Sequence, residues 1–188
     1  MSPRRASILL LTLSASLVGP IASLDAQEAE PEGEEEHELA GRHRLTLGLG
    51  HTHVSQGEID GKTEWLVAAS WAFNYDFWLT DRWAIGVQND LLLEQFPVEH
   101  GEGELVEREY PVSVIPAVLF KPGEWLTLIG GVGAEIAAGE TLFLTRLGFE
   151  GGRHVSENWE VGGALVWDNK WNHYNSWALA FTLSRFLG

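Results

Sequence analysis

Acidic side chains spaced along this chain are the first residues that could do chemistry. Glu64, Asp90, Glu94, Glu109, Glu135 and Asp168 recur near corresponding ends of successive apolar segments, at the parity that points inward if those segments are strands of a closed sheet, with only Lys170 and the deeper Arg146 nearby to balance them. Convergent carboxylates either pair with cations in a structural network or hold a hard ion such as calcium. For the second role the candidate ligands are Glu94, Glu109, Glu135 and Asp168, although no EF-hand spacing accompanies them. Histidine is the other candidate ligand type. His51 and His53, two residues apart, share one face of a strand, and His173 opens the last segment, which meets the first if the sheet closes. Imidazoles so placed could hold a transition metal. The same face would also put them at a lipid head-group boundary, as ordinary interfacial side chains.

The catalytic inventory is sparse. The chain has no cysteine, which excludes disulfides, thiolate metal sites and a cysteine nucleophile. His173-Tyr174-Asn175-Ser176 sets a hydroxyl three residues after an imidazole, but no Asp or Glu follows, and Asp168 would have to fold back to orient the ring. Gly130-Gly131-Val132-Gly133 lacks the helix and lysine of a phosphate loop and reads as relief of crowding inside a strand. No catalytic or cofactor-binding residue is assigned on this basis.

The elements that must position these residues are strands. In Trp65–Phe77 the odd positions are Trp65, Val67, Ala69, Trp71, Phe73, Tyr75 and Phe77, whereas the even ones include Ala68, Ser70, Asn74 and Asp76. Period 2 is the signature of a strand with two unlike faces. Turn chemistry at Thr80-Asp81-Arg82, Lys121-Pro122-Gly123-Glu124 and Ser156-Glu157-Asn158 divides the rest, each turn followed by Trp83, Trp125 or Trp159. The pattern predicts eight strands, near 43–54, 64–78, 83–96, 108–120, 125–137, 141–153, 159–168 and 174–186. Closed up and down, they form a barrel without exposed edges. Pro116, which cannot donate to a ladder, predicts a bulge in the fourth.

Volume decides which face is inside. The bulky set includes Leu47, Trp71, Phe73, Phe143, Leu147, Trp167 and Phe181. The other includes Gly48, Ser70, Gly86, Gly131, Gly148 and Ala180. An eight-stranded barrel has room only for modest side chains inside. The bulky residues therefore face outward, which lipid alone tolerates. The predicted fold class is all-β, an eight-stranded antiparallel up-and-down transmembrane β-barrel over 41–188.

Ahead of it, residues 1–26 have the form of a secretory signal: Arg4 and Arg5, the apolar run Ile8–Val18, then Gly19-Pro20 and small residues to Ala26. Residues 27–40 carry seven Glu and no Lys or Arg, a composition expected of a disordered tail. A formal charge of −15 makes the chain a poor nucleic-acid binder.

Gly41–Gly188 resembles the small eight-stranded outer-membrane barrels of the OmpA transmembrane-domain, OmpX and OmpW kind. The resemblance is carried by this architecture, by phrases such as Leu79-Thr80-Asp81-Arg82-Trp83-Ala84-Ile85-Gly86, and by Phe186 near the C-terminus. It implies an outer-membrane location in a Gram-negative-type bacterium, contact with outer-membrane lipid, and passage through the barrel-assembly machinery. A monomer is expected, with short periplasmic turns, extracellular loops at 55–62 and 97–107, and a lumen filled by charged side chains rather than a general pore. The chain departs from the family at its end: Leu187-Gly188 follow Phe186, and Ala180, Thr182 and Ser184 share its parity, which predicts a shifted register or a bulge. The function implied is a structural or surface-interaction role. Two alternatives are a cation or small-ligand site in the lumen or mouth, and a lipid A-modifying enzyme. Against the last, the lipid A deacylase family carries His-x-Ser-Asn followed by an acidic residue, an order that His173-Tyr174-Asn175-Ser176 does not reproduce.

Overall fold

Alternation from His43 onward builds strands. A computed structural model describes residues 38–59, 62–100, 104–138 and 140–188, with the side chains of 57–64 and 99–106 excepted. The expected signal segment and all but the last three residues of the acidic segment lie outside the described residues. In chain order the strands are β1 (His43–Ile59), β2 (Lys62–Trp78), β3 (Trp83–Leu92), β4 (Gln95–His100), β5 (Glu104–Glu109), β6 (Val112–Phe120), β7 (Leu126–Ile136), β8 (Thr141–Ser156), β9 (Trp159–Lys170) and β10 (Asn175–Leu187). Eight of them close into an antiparallel barrel in the order β1-β2-β3-β6-β7-β8-β9-β10, and β10 returns to β1. Closure pairs the backbone groups of both would-be edges, as a structure without surrounding water requires. β4 and β5 form a separate two-stranded hairpin.

The two faces of the wall are inverted relative to a water-soluble protein. Phe73, Phe143, Leu147 and Phe181 are exposed on the outside, while Thr46, Ser70, Gln88 and Ser184 are buried within. Trp83, Trp125 and Trp159 stand exposed at the end of the tight turns, and Trp65, Trp71 and Trp171 lie toward the loop end. Two aromatic belts bounding an apolar band are the mark of a transmembrane β-barrel. On the inside, glycine admits neighbours that a larger side chain would displace: a Cβ at Gly131 would lie 2.6 Å from the Pro116 carbonyl oxygen and 2.8 Å from Ile115 Cγ2.

Several sequence expectations are corrected. Pro116 produces no bulge. The β6–β7 ladder lapses beside it and resumes in the same register, from Val114↔Ala134 to Ala117↔Gly131. β10 has neither bulge nor shift, pairing with β1 without interruption from Val54↔Ser176 to His43↔Leu187. Its outward set is Leu179, Phe181, Leu183 and Leu187, and Phe186 turns inward, 2% exposed. Alternation therefore holds, with Leu187 rather than Phe186 as the final outward residue. The span 55–62 is largely strand, because β1 and β2 run on as a hairpin with an irregularity between Ser55 and Glu58. The span 97–107 is also strand where described, as β4 and β5.

Packing begins before the barrel wall. Leu39, grouped with the acidic segment on composition, is buried at the turn end with Trp78, Ala84, Ala117, Leu119, Ile129 and Phe186. Its backbone N–H donates to Asp81 Oδ1 at 2.8 Å and that of Ala40 at 3.1 Å. The Arg42 guanidinium lies over the Phe186 ring at 5.2 Å. Leu39→Ala is expected to cost about 2 kcal/mol, the low end for a buried leucine, read by urea unfolding in detergent micelles. The two N–H donors, Leu39 first, hold the Asp81 carboxyl below its usual pKa. Its folded value lies under its unfolded one, so this contribution is complete above the unfolded value, about 4, and is lost as pH falls through the folded value. Proteolysis of the 38–42 segment should therefore be slow at pH 7 and accelerate only below about pH 4, an acceleration that Asp81→Asn should shift or abolish.

Candidate functional site

The interior holds three layers of charge between two apolar ends. Nearest the turns, Arg44 projects inward from β1 directly opposite Asp76 on β2. Its Nε and Nη2 donate to Asp76 Oδ2 at 3.0 and 2.8 Å, and Nη2 also reaches Glu150 Oε2 at 3.1 Å. Nη1 lies 3.6 Å from Glu160 Oε1. Gln88 Nε2 donates to the other Asp76 oxygen at 2.9 Å.

The second layer is built by register in the same way. Arg146 on β8 faces Asp168 on β9. Nε and Nη2 donate to the two Asp168 oxygens at 2.7 Å each, and Nη2 also bonds Asp90. Lys170 Nζ is 3.7 Å from Asp168 and 3.5 Å from Glu135, and it donates to Ser176 Oγ. Two-pronged guanidinium–carboxylate pairs fix geometry as well as charge.

The third layer comes from the hairpin. β3 ends at Leu92, and β6 begins after Tyr110 and Pro111. Tyr110 adopts φ +44°, the left-handed region that non-glycine residues seldom enter. This twist breaks the alternation between β5 and β6. Arg108 turns inward and is fully buried, while Glu109 faces out. Arg108 Nε and Nη2 donate to Glu135 Oε1 at 3.1 and 2.8 Å, and Nη1 to the Glu140 carbonyl at 2.9 Å. The Tyr174 hydroxyl donates to the same Glu135 oxygen. Burial, reinforced by that carboxylate, raises the Tyr174 phenol well above its ordinary pKa and keeps it a donor. Above this layer Phe96 and Val98 of β4 pack with Val54, Ala68, Leu92, Leu142 and Tyr174.

The four candidate calcium ligands do not share one space. Glu135 and Asp168 are inside, each bonded to arginine. Glu94 is exposed, and the exposed Glu109 accepts from Gln95 Nε2 at 2.8 Å. The inward reading of Glu109 followed from carrying β6 parity back across Tyr110, where it does not hold. Asp90 is inside as expected, and the Glu64 side chain lies outside the described residues. His51 Nδ1 and His53 Nε2 approach to 3.0 Å on the outer face, and His53 stacks on Trp177 at 3.7 Å. His173 lies in the β9–β10 turn, where its backbone N–H donates to the Lys170 carbonyl at 3.0 Å. Among the described residues no three His, Asp or Glu side chains form a metal-holding group. Ser176 points into the lumen toward Lys170, and Asp168 is committed to Arg146, so neither forms a triad with His173.

Two cations escaped the sequence reading. Arg44 has the even parity of Thr46 and Gly48, so the alternation already placed it inside. Arg108 carried no such signal, because its direction depends on the Tyr110 backbone.

No protein-family model and no curated protein matches the sequence. Solved structures do. Ail, the attachment invasion locus protein of Yersinia pestis, in complex with the heparin analogue sucrose octasulfate, superposes with a TM-score of 0.52 at 15% identity, over 77% of this chain and 99% of that one. Neisserial surface protein A gives 0.51 at 8% identity, over 77% and 98%. The fold is that of the small eight-stranded outer-membrane barrels. At these identities the likeness concerns the fold alone.

Removing one member of a buried ion pair strands the other. Arg108→Ala is expected to lower stability by about 3 kcal/mol in micelles. Joint replacement Arg108→Met with Glu135→Leu should recover most of the loss, because it removes both charges; chemical denaturation of the three proteins makes the comparison.

Proposed function

We propose that this protein is a monomeric outer-membrane barrel with a structural or surface-interaction role and an occluded lumen that does not serve as a general pore. The carrying observation is the filled interior. Arg44, Arg146 and Arg108 each bind carboxylates across the barrel, Leu39 and its neighbours fill the turn end, and Phe96 and Val98 fill the loop end. Eight strands leave no water-filled channel once such side chains occupy the centre. In this reading residues 1–26 direct export, the assembly machinery inserts the barrel, the tight turns lie in the periplasm and the β4–β5 hairpin faces the cell exterior.

The exposed loop end carries Glu94, Glu107, Glu109 and Glu140. A partner at that surface would be cationic, in contrast to the anionic heparin analogue bound in the Ail structure. Planar-bilayer recording is the decisive test. The wild type should show no steady conductance, and a large, stable open state would overturn the reading. A lipid A-modifying activity is tested by mass spectrometry of lipid A from cells with and without the protein, where this reading expects identical acyl patterns.

A further inference from the structure

β1 presents three imidazoles on its outer face, and two of them meet. His51 and His53 are two residues apart, so the pleat of the strand points both the same way. His51 Nδ1 and His53 Nε2 stand 3.0 Å apart, and the rings meet at 64° rather than stacking. The third, His43, lies at the other end of the strand, with its Nδ1 2.7 Å from the Tyr75 hydroxyl.

The pair is held in place from one side and left open on the other. His53 lies flat on Trp177 of β10, with ring centroids 3.7 Å apart and planes at 9°, which fixes the plane of its ring. On the β2 side His51 is opposite Ala69 and His53 opposite Val67, two short side chains that are themselves exposed. Both imidazoles are half-buried. They stand level with the stretch between Trp65 and Trp71 of β2, at the loop-end aromatic belt. Side chains at that depth meet head groups and water as well as hydrocarbon.

The nitrogen spacing selects a ligand. Whichever ring carries the proton between the two, that proton can be held on the far nitrogen of the same imidazole, which leaves both facing nitrogens with free electron pairs. Bonds of about 2.05 Å to one ion from nitrogens 3.0 Å apart enclose an angle of roughly 94°. Neighbouring ligands of a square-planar or tetragonal centre subtend that angle, whereas a tetrahedral centre would spread the nitrogens to about 3.3 Å. Square-planar nitrogen and oxygen sites suit Cu(II) and Ni(II), and Cu(II) binds a given ligand set most tightly among the divalent first-row ions.

We propose that His51 Nδ1 and His53 Nε2 form an outer-face site for one Cu(II) ion, as two neighbouring ligands of a square plane. Water or head-group oxygens complete the coordination, because no third His, Asp or Glu joins the pair among the described residues. Trp177 acts as a positioning residue by holding the His53 ring. The site is separate from the loop-end carboxylates and from the charged lumen.

The test uses the barrel in zwitterionic micelles, purified without a histidine tag, loaded with one equivalent of copper(II) chloride and read by electron paramagnetic resonance. The expected spectrum is tetragonal, with coupling to two imidazole nitrogens. His51→Ala and His53→Ala should each lose the two-nitrogen coupling, whereas His43→Ala should retain it. A wild-type spectrum of copper without nitrogen ligands would overturn the proposal. So would a two-nitrogen spectrum that persists in either variant. Should a variant fail to fold, crystals of the wild type soaked in copper(II) chloride decide the matter. An anomalous peak at the copper edge within bonding distance of both nitrogens supports the site, and its absence refutes it.

Discussion

Three arginines inside a narrow barrel wall are the constraint on which the rest of the structure depends. A guanidinium does not give up its charge, so each one enclosed in the lumen must meet carboxylates there. Arg44 and Arg146 meet theirs straight across a strand pair, Arg44 with Asp76 and Arg146 with Asp168. Strand register is thereby tied to electrostatics. A slip of one residue by either strand would turn one member of its pair out into lipid and leave the other unpaired inside. The apolar outer face imposes the same register from the other side.

The two ends of the lumen are sealed by different means. At the turn end the chain folds Leu39 under the barrel, with Asp81 accepting two backbone N–H groups that would otherwise lie unpaired. At the loop end the β4–β5 hairpin leaves the wall between β3 and β6 and lays Phe96 and Val98 over the interior. Arg108 links this hairpin to the ion layers through Glu135, so the apolar cover and the charged interior are one connected arrangement. Tyr174 belongs to both, its ring in the apolar cluster and its hydroxyl on Glu135.

On the outer surface His51 and His53 bond to each other, His53 stacks on Trp177, and His43 Nδ1 lies 2.7 Å from the Tyr75 hydroxyl. The acidic groups at the loop end offer an electrostatic surface rather than a formed pocket. The interior arginines are engaged with carboxylates, while Trp78 Nε1, Glu135 Oε2 and Glu150 Oε1 are buried without a hydrogen-bond partner.

The sequence by itself determined the strand class, the closure into eight strands and the sense of the wall, because alternation and side-chain volume are local properties that survive without a partner. It also placed Asp90, Glu135, Arg146, Asp168 and Lys170 on the inner face, and by the same parity Arg44. Tertiary structure decided the rest. Whether Glu109 or Arg108 entered the lumen depended on a left-handed Tyr110, a single backbone angle that no side-chain pattern encodes. Whether four carboxylates converged depended on register and on a hairpin that reads in sequence as a loop. Leu39 looked like the end of an acidic segment because its partners, Trp78, Leu119 and Phe186, come from distant strands and meet it only once the barrel has closed.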